Sequence, residues 1–215
     1  MGLNLRLNLF HDVEAPDVFG MLAAFYRQRG ARLVPEERPD RRYDLHHRRD
    51  HWCVLDWDGG WEWQLRRAAQ LFVSERLKTP GLLVFVYDGD YWGYELFRDG
   101  TVLNRFVQYP PGDGEQRWFP GDPCVGDPEA VASCFGELSS ADIAPYLVHQ
   151  PPYGYDRESF HALNVPARPG DEFRRFDECA VLDFLHALGV GIERRDGEVR
   201  ILADLWRSFR PEFSK

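Results

Sequence analysis

The chain has 215 residues and a formal net charge of −9, from 26 Lys and Arg against 35 Asp and Glu. Its 44% hydrophobic and 14% aromatic content excludes a disordered chain, and its length suits one well-buried domain or two small ones. The acidic balance argues against nucleic-acid binding, and no apolar run is longer than that of Leu82 to Tyr87, far short of the ~20 residues of a membrane helix.

Leu3, Leu5, Leu7 and Leu9 alternate with Asn4, Arg6 and Asn8, the period of a half-buried strand. Met1–Phe10 alternates without an apolar core segment, so no signal peptide is expected. The four cysteines (Cys53, Cys124, Cys134, Cys179) make no Cys-x-x-Cys pair. A soluble, cytoplasmic protein with reduced thiols is the expectation. Pro16 opens a predicted helix to about Arg29, with Val18, Met21, Leu22 and Phe25 on one face and Gly30 as its stop. Ala31 to Pro35 reads as a short strand, and the polar stretch 35–50 as a long loop. His51 to Trp57 is a second strand, closed by Asp58-Gly59-Gly60. A helix is predicted over 64–78, with Leu65, Ala68, Ala69, Phe72 and Val73 inward and Pro80-Gly81 ending it.

Asp88-Gly89 and Asp99-Gly100 are hairpin turns by composition, so 82–87, 91–97 and 101–108 form a three-strand antiparallel meander. In its middle strand Trp92, Tyr94 and Leu96 share one face, and Tyr91, Glu95 and Phe97 the other. An irregular loop is expected over 109–126, then a helix capped by Asp127 with Pro128 behind it and Gly136 at its end. Ser139-x-x-Asp142 resembles a capping box. Residues 149–170 read as a second long loop. A helix capped by Asp177 runs to Leu188, and a hairpin turns at Asp196-Gly197 between strands near 191–194 and 199–202. Hairpin connections favour an α+β fold with a mainly antiparallel sheet packed by four to five helices. We expect a single domain, with a possible seam at 149–170 and residues 171–215 as a helix-plus-hairpin subdomain.

The charge is unevenly placed. Residues 81–160 hold 4 basic and 13 acidic side chains, while 1–50, 51–80 and 161–215 balance to +1, 0 and −1. An acidic surface bearing aromatic residues steers and docks a cationic partner. Asp88, Asp90, Glu95 and Asp113 are the expected steering groups, and Trp92, Tyr94, Trp118 and Tyr153 the anchors wherever they are exposed. The loops holding Trp118-Phe119-Pro120 and Tyr153-Gly154-Tyr155 are long enough to be functional.

Catalytic alternatives are weaker. Asp56, Asp58, Asp88 and Asp90 would supply paired carboxylates for acid–base work if the fold gathered them. Asp88-Gly89-Asp90 lacks the remaining ligands of a calcium loop, and adjacent His46 and His47 do not have helical metal-ligand spacing. No Gly-x-Ser-x-Gly or phosphate-binding glycine loop is present, and Cys124 would need His149 or His161 brought to it. The Arg- and His-rich segment 38–49 is interrupted by Asp40 and Asp44 and reads as a solvated loop. The sequence therefore points to a non-catalytic acidic protein, an inhibitor, antitoxin or immunity-type molecule, that docks a basic protein and needs no cofactor or metal. A small carboxylate-using hydrolase or ligand-binding enzyme is the alternative.

Overall fold

The computed structural model describes residues 3, 5–38, 42–57, 63–109, 124–136, 138–151, 156–195 and 198–213. Their elements in chain order are β1 (Leu5–His11), α1 (Ala15–Arg27), β2 (Ala31–Pro35), β3 (Tyr43–His46), β4 (Trp52–Trp57), α2 (Trp63–Leu77), β5 (Pro80–Tyr87), β6 (Tyr91–Arg98) and β7 (Thr101–Val107). Then come α3 (Pro128–Phe135), α4 (Ser140–Ile143) running into a 3-10 turn (Ala144–Tyr146), α5 (Arg157–Leu163), α6 (Ala180–Ala187), β8 (Ile192–Arg195), β9 (Glu198–Ile201) and β10 (Leu205–Phe213). The fold is α+β. Eight strands form one antiparallel sheet in the order β2-β10-β3-β4-β1-β5-β6-β7, and β8 pairs with β9 separately.

The local signals account for much of this. Pro16 lies in the first turn of α1, where a missing N–H is harmless, and Val18, Leu22 and Phe25 are buried along one face. Asp88 and Gly89 take φ of 48° and 74°, and Asp99 and Gly100 take 53° and 76°. Left-handed residues at both central positions make the tight hairpin turn that matches strand twist. The Gly89 N–H donates to the Leu3 carbonyl at 2.9 Å, while the Thr79 hydroxyl donates to the His11 carbonyl. Position thus rises along β1 as it falls along β5, which makes that central pair antiparallel.

Several expectations are corrected. The predicted loop 35–50 contains β3, which lies between β10 and β4 with Tyr43 and Leu45 buried. The loop 149–170 contains α5, whose N-cap Asp156 accepts from the Ser159 N–H at 2.9 Å. On α2, Ala69 and Val73 are buried as expected and Leu65, Ala68 and Phe72 pack against the same core; Arg66, Gln70 and Ser74 are buried as well, and Pro80-Gly81 opens β5. β10 is an additional strand. The cap assigned to Asp177 belongs to Cys179, and the hairpin turn at Asp196-Gly197 lies outside the described residues.

The chain divides into two compact units. The first comprises Met1–Leu5, Val84–Glu95 and Leu103–Leu188, so residues 149–170 fall inside it. The second comprises Arg6–Leu83, Leu96–Val102 and Gly189–Lys215. The core of the second unit joins α1 and α2 to Phe10, Leu45, Cys53, Leu55, Trp57, Phe97 and Phe209. Inside it, Asn8 donates to Gln70 Oε1 and accepts from Trp57 Nε1, both at 2.5 Å, so this polar residue of a central strand is satisfied. Burial pushes the Cys53 thiol up to about 12, which leaves it protonated and inert.

Candidate functional site

The hairpin tip at Asp88-Gly89-Asp90 is the exposed end of the β5–β6 pair in the first unit. Asp88 and Asp90 are both exposed, as steering groups need to be. The Asp90 N–H donates to the Tyr87 carbonyl at 2.9 Å, closing the turn, and Gln150 Nε2 donates to the Asp90 carbonyl at 3.1 Å.

The rest of β6 lies in the core. Trp92, Tyr94 and Glu95 are 1%, 0% and 0% exposed, which corrects the expectation that they contact a partner. The Trp92 and Tyr94 rings lie 5.1 and 5.8 Å from Phe184 of α6, and Phe106 of β7 is 5.1 Å from Trp92. Alternation placed them correctly on one face, and α6 covers that face. The Tyr94 hydroxyl donates to Asn104 Oδ1 at 2.8 Å, an oxygen that also accepts the Asp127 N–H at 2.9 Å. β7 is thereby tied to the start of α3. On the opposite face of β6, Arg105 Nε donates to Glu95 Oε2 at 2.8 Å, a buried ion pair.

Trp92 also lines a small pocket, with room for about one water, bordered by Tyr146, Phe173, Arg175 and Asp183. Its Nε1–H has no hydrogen-bond partner among the described protein atoms. Desolvation raises the Asp183 pKa, against the two backbone N–H groups of Glu172 and Phe173 that its carboxylate accepts. The aromatic walls of this pocket and its one acidic side chain do not make a nucleophile–base pair.

Of the enzyme candidates, Asp56 lies half-buried in β4 of the second unit, and Asp58 lies outside the described residues, as do Asp113, Trp118 and Tyr153. Asp88 and Asp90 belong to the first unit. Cys124 is fully buried, its carbonyl accepting from the Val107 N–H at 3.1 Å. His149 places Nδ1 3.1 Å from the Tyr109 carbonyl, and His161 lies on α5, where its Nε2 accepts from Arg157 at 3.3 Å. No helix among the described residues is long and apolar enough to cross a membrane.

A cluster that sequence spacing concealed lies in the second unit, where β1 and β4 end together. The register pairs His11 with Trp52, so the following Asp12 and the preceding His51 come side by side. Asp12 Oδ1 lies 2.6 Å from His51 Nδ1, and Asp12 Oδ2 lies 3.3 Å from His11 Nδ1. Arg48 approaches Asp12 Oδ1 at 3.4 Å and Glu14 Oε1 at 3.2 Å. The hydrogen bond with His51, with His11 and Arg48 nearby, holds the Asp12 carboxyl below its ordinary range. The legible sign was His11-Asp12 just past one predicted strand and His51 opening another, which an antiparallel pairing brings together.

No family model, no curated protein and no solved structure matches this chain, so its function is read from its own residues.

Proposed function

We propose that the chain is a non-catalytic binding protein whose first unit docks a basic protein partner, as an inhibitor, antitoxin or immunity-type protein does. One observation carries this reading. The first unit holds 6 basic against 17 acidic side chains, a balance of −11, and the second holds 20 against 18, a balance of +2. The charge asymmetry along the sequence is thus sharper when counted by compact unit. A field of that size raises association rates with a cationic surface and falls with salt. Asp88 and Asp90 project from the hairpin tip as steering groups, while the buried Trp92, Tyr94 and Glu95 give the strand beneath them a fixed shape.

The test is capture from a lysate of the native host at low and high salt, followed by titration of the purified pair. The baits are wild type, Asp88→Lys/Asp90→Lys, and Asp17→Lys/Glu75→Lys as an equal charge change on the second unit. One basic protein should be retained by wild type and by the second-unit control, weakened by salt, and lost with the hairpin reversal. Equal loss in both double variants would reduce the effect to net charge and sink the reading of the first unit as the docking unit.

A further inference from the structure

The His11, Asp12 and His51 cluster is built by an unusual backbone. Asp12 and His51 take φ of 56° and 77°, in the left-handed region. Such conformations are unfavourable for a non-glycine residue and are held only where surrounding contacts impose them. Here the Asp12 N–H donates to the His51 carbonyl at 2.7 Å and locks the two residues together. The imidazoles of His11 and His51 stack with centroids 5.6 Å apart and planes 23° from parallel, and Trp52 buttresses His11 edge-on at 4.9 Å. All three residues offer a ligand atom, and these atoms lie within 4.8 Å of one another.

Two imidazole nitrogens and one carboxylate are a donor set for first-row divalent metals. Around an ion with bonds of about 2.0–2.2 Å, neighbouring ligand atoms stand roughly 3 Å apart. The 3.3 Å separation of His11 Nδ1 and Asp12 Oδ2 fits that spacing, and the 2.6 Å contact with His51 needs only a small widening. We propose that His11, Asp12 and His51 bind a divalent first-row transition metal such as Zn²⁺ through two imidazole nitrogens and one carboxylate. The side chains of Asp12 and His51 are 53% and 47% exposed, so the remaining coordination positions face solvent. The site is therefore open, as three-ligand zinc sites are, rather than a closed structural one. Arg48 stands against the same carboxylate as a competing cation. It stabilises the metal-free cluster and weakens metal binding.

The proposal does not depend on the docking reading, because all its residues lie in the second unit. It is tested by titrating the full-length, chelator-treated chain with Zn²⁺ by calorimetry and with Co²⁺ by visible absorption. Asp12→Asn and His51→Asn keep residue types that tolerate left-handed backbone, and circular dichroism checks that both variants are folded. Wild type should bind one equivalent with a thermal midpoint that rises with metal, and each variant should bind at least tenfold more weakly. Arg48→Gln should bind more tightly than wild type. Absence of saturable binding, binding unchanged in Asp12→Asn and His51→Asn, or weaker binding in Arg48→Gln would each overturn the proposal. The cluster would then be a hydrogen-bonded staple of the strand ends.

Discussion

The two units contain almost the same number of carboxylates, 17 and 18, and use them differently. In the second unit they meet arginines. Glu36 accepts from Arg38 at 2.9 Å and Arg210 at 2.8 Å, Glu212 from Arg32 at 2.8 Å, and Asp44 from Arg42 at 2.9 Å. In the first unit Glu95 and Asp142 also meet arginines, but five others meet backbone N–H groups. Asp127 accepts from Glu129 and Ala130, Asp156 from Ser159, Asp171 from Arg168, Asp183 from Glu172 and Phe173, and Glu178 from Leu3. A helix end or turn offers unsatisfied N–H groups that a carboxylate stabilises without any cation. The first unit can therefore carry many structural carboxylates and still keep their charge. The charge of these five carboxylates is thus part of the −11 balance and contributes to long-range attraction.

The largest expected effect comes where the first unit adopts the second unit's habit. Glu95 is fully buried, and its partner Arg105 is 13% exposed at the side chain. Removing one member of a buried pair strands the other, so Glu95→Ala should lower unfolding stability by about 3 kcal/mol or more in urea titration. Replacing both, as Glu95→Met/Arg105→Met, should recover most of that loss, because two apolar residues of similar volume avoid the desolvation of two ions. A single variant as stable as wild type would show that the pair contributes nothing to the meander.

Both units were partly legible in the sequence, and what was missed is physically distinct from what was found. The Asp88-Gly89 and Asp99-Gly100 turns and the Asp127 and Ser139 caps were readable because a positive φ or an orphan N–H is a demand made within a few residues. β3 and β10 were not. Tyr43 and Leu45 stand among arginines and histidines that hide their alternation, and of the residues of β10 only Phe209 is buried. Their strand character comes from partners far along the chain, since β10 pairs with both β2 and β3. The same limit governs the site. Alternation put Trp92 and Tyr94 on one face, but only α6, folded back with Phe184, decides that the face is interior. His11 and His51 become neighbours only through the β1–β4 register.

A smaller effect tests the capping side of the comparison. Asp127 satisfies two N–H groups of α3, at 2.9 and 3.1 Å, and that helix buries Val131, Cys134 and Phe135. Asp127→Ala should therefore cost about 1 kcal/mol in the same urea titration, and Asp127→Asn, which keeps the accepting oxygen, much less. Equal losses would mean that charge at the helix start matters more than the hydrogen bonds.

The smallest effect is a change of slope with pH, and it separates the two habits most directly. Hydrogen bonds from Arg38, then its nearby charge and Arg210, hold the Glu36 carboxyl at about 2, well below its ordinary 4.5. A folded-state pKa below the unfolded one means the unfolded chain takes up the proton first. The stabilisation is thus complete above pH 4.5 and lost as pH falls toward 2. Asp156 is also held below its ordinary value, by the Ser159 hydrogen bond, but α5 buries no residue. Melting that helix exposes little, so its protonation is felt locally. Glu36→Gln should flatten the acid limb of the stability curve across that window, and Asp156→Asn should leave the global limb unchanged while weakening amide exchange protection in α5. An acid limb that Glu36→Gln does not alter would mean that the arginine pairs of the second unit are surface contacts without consequence. The contrast between the units would then be one of charge alone.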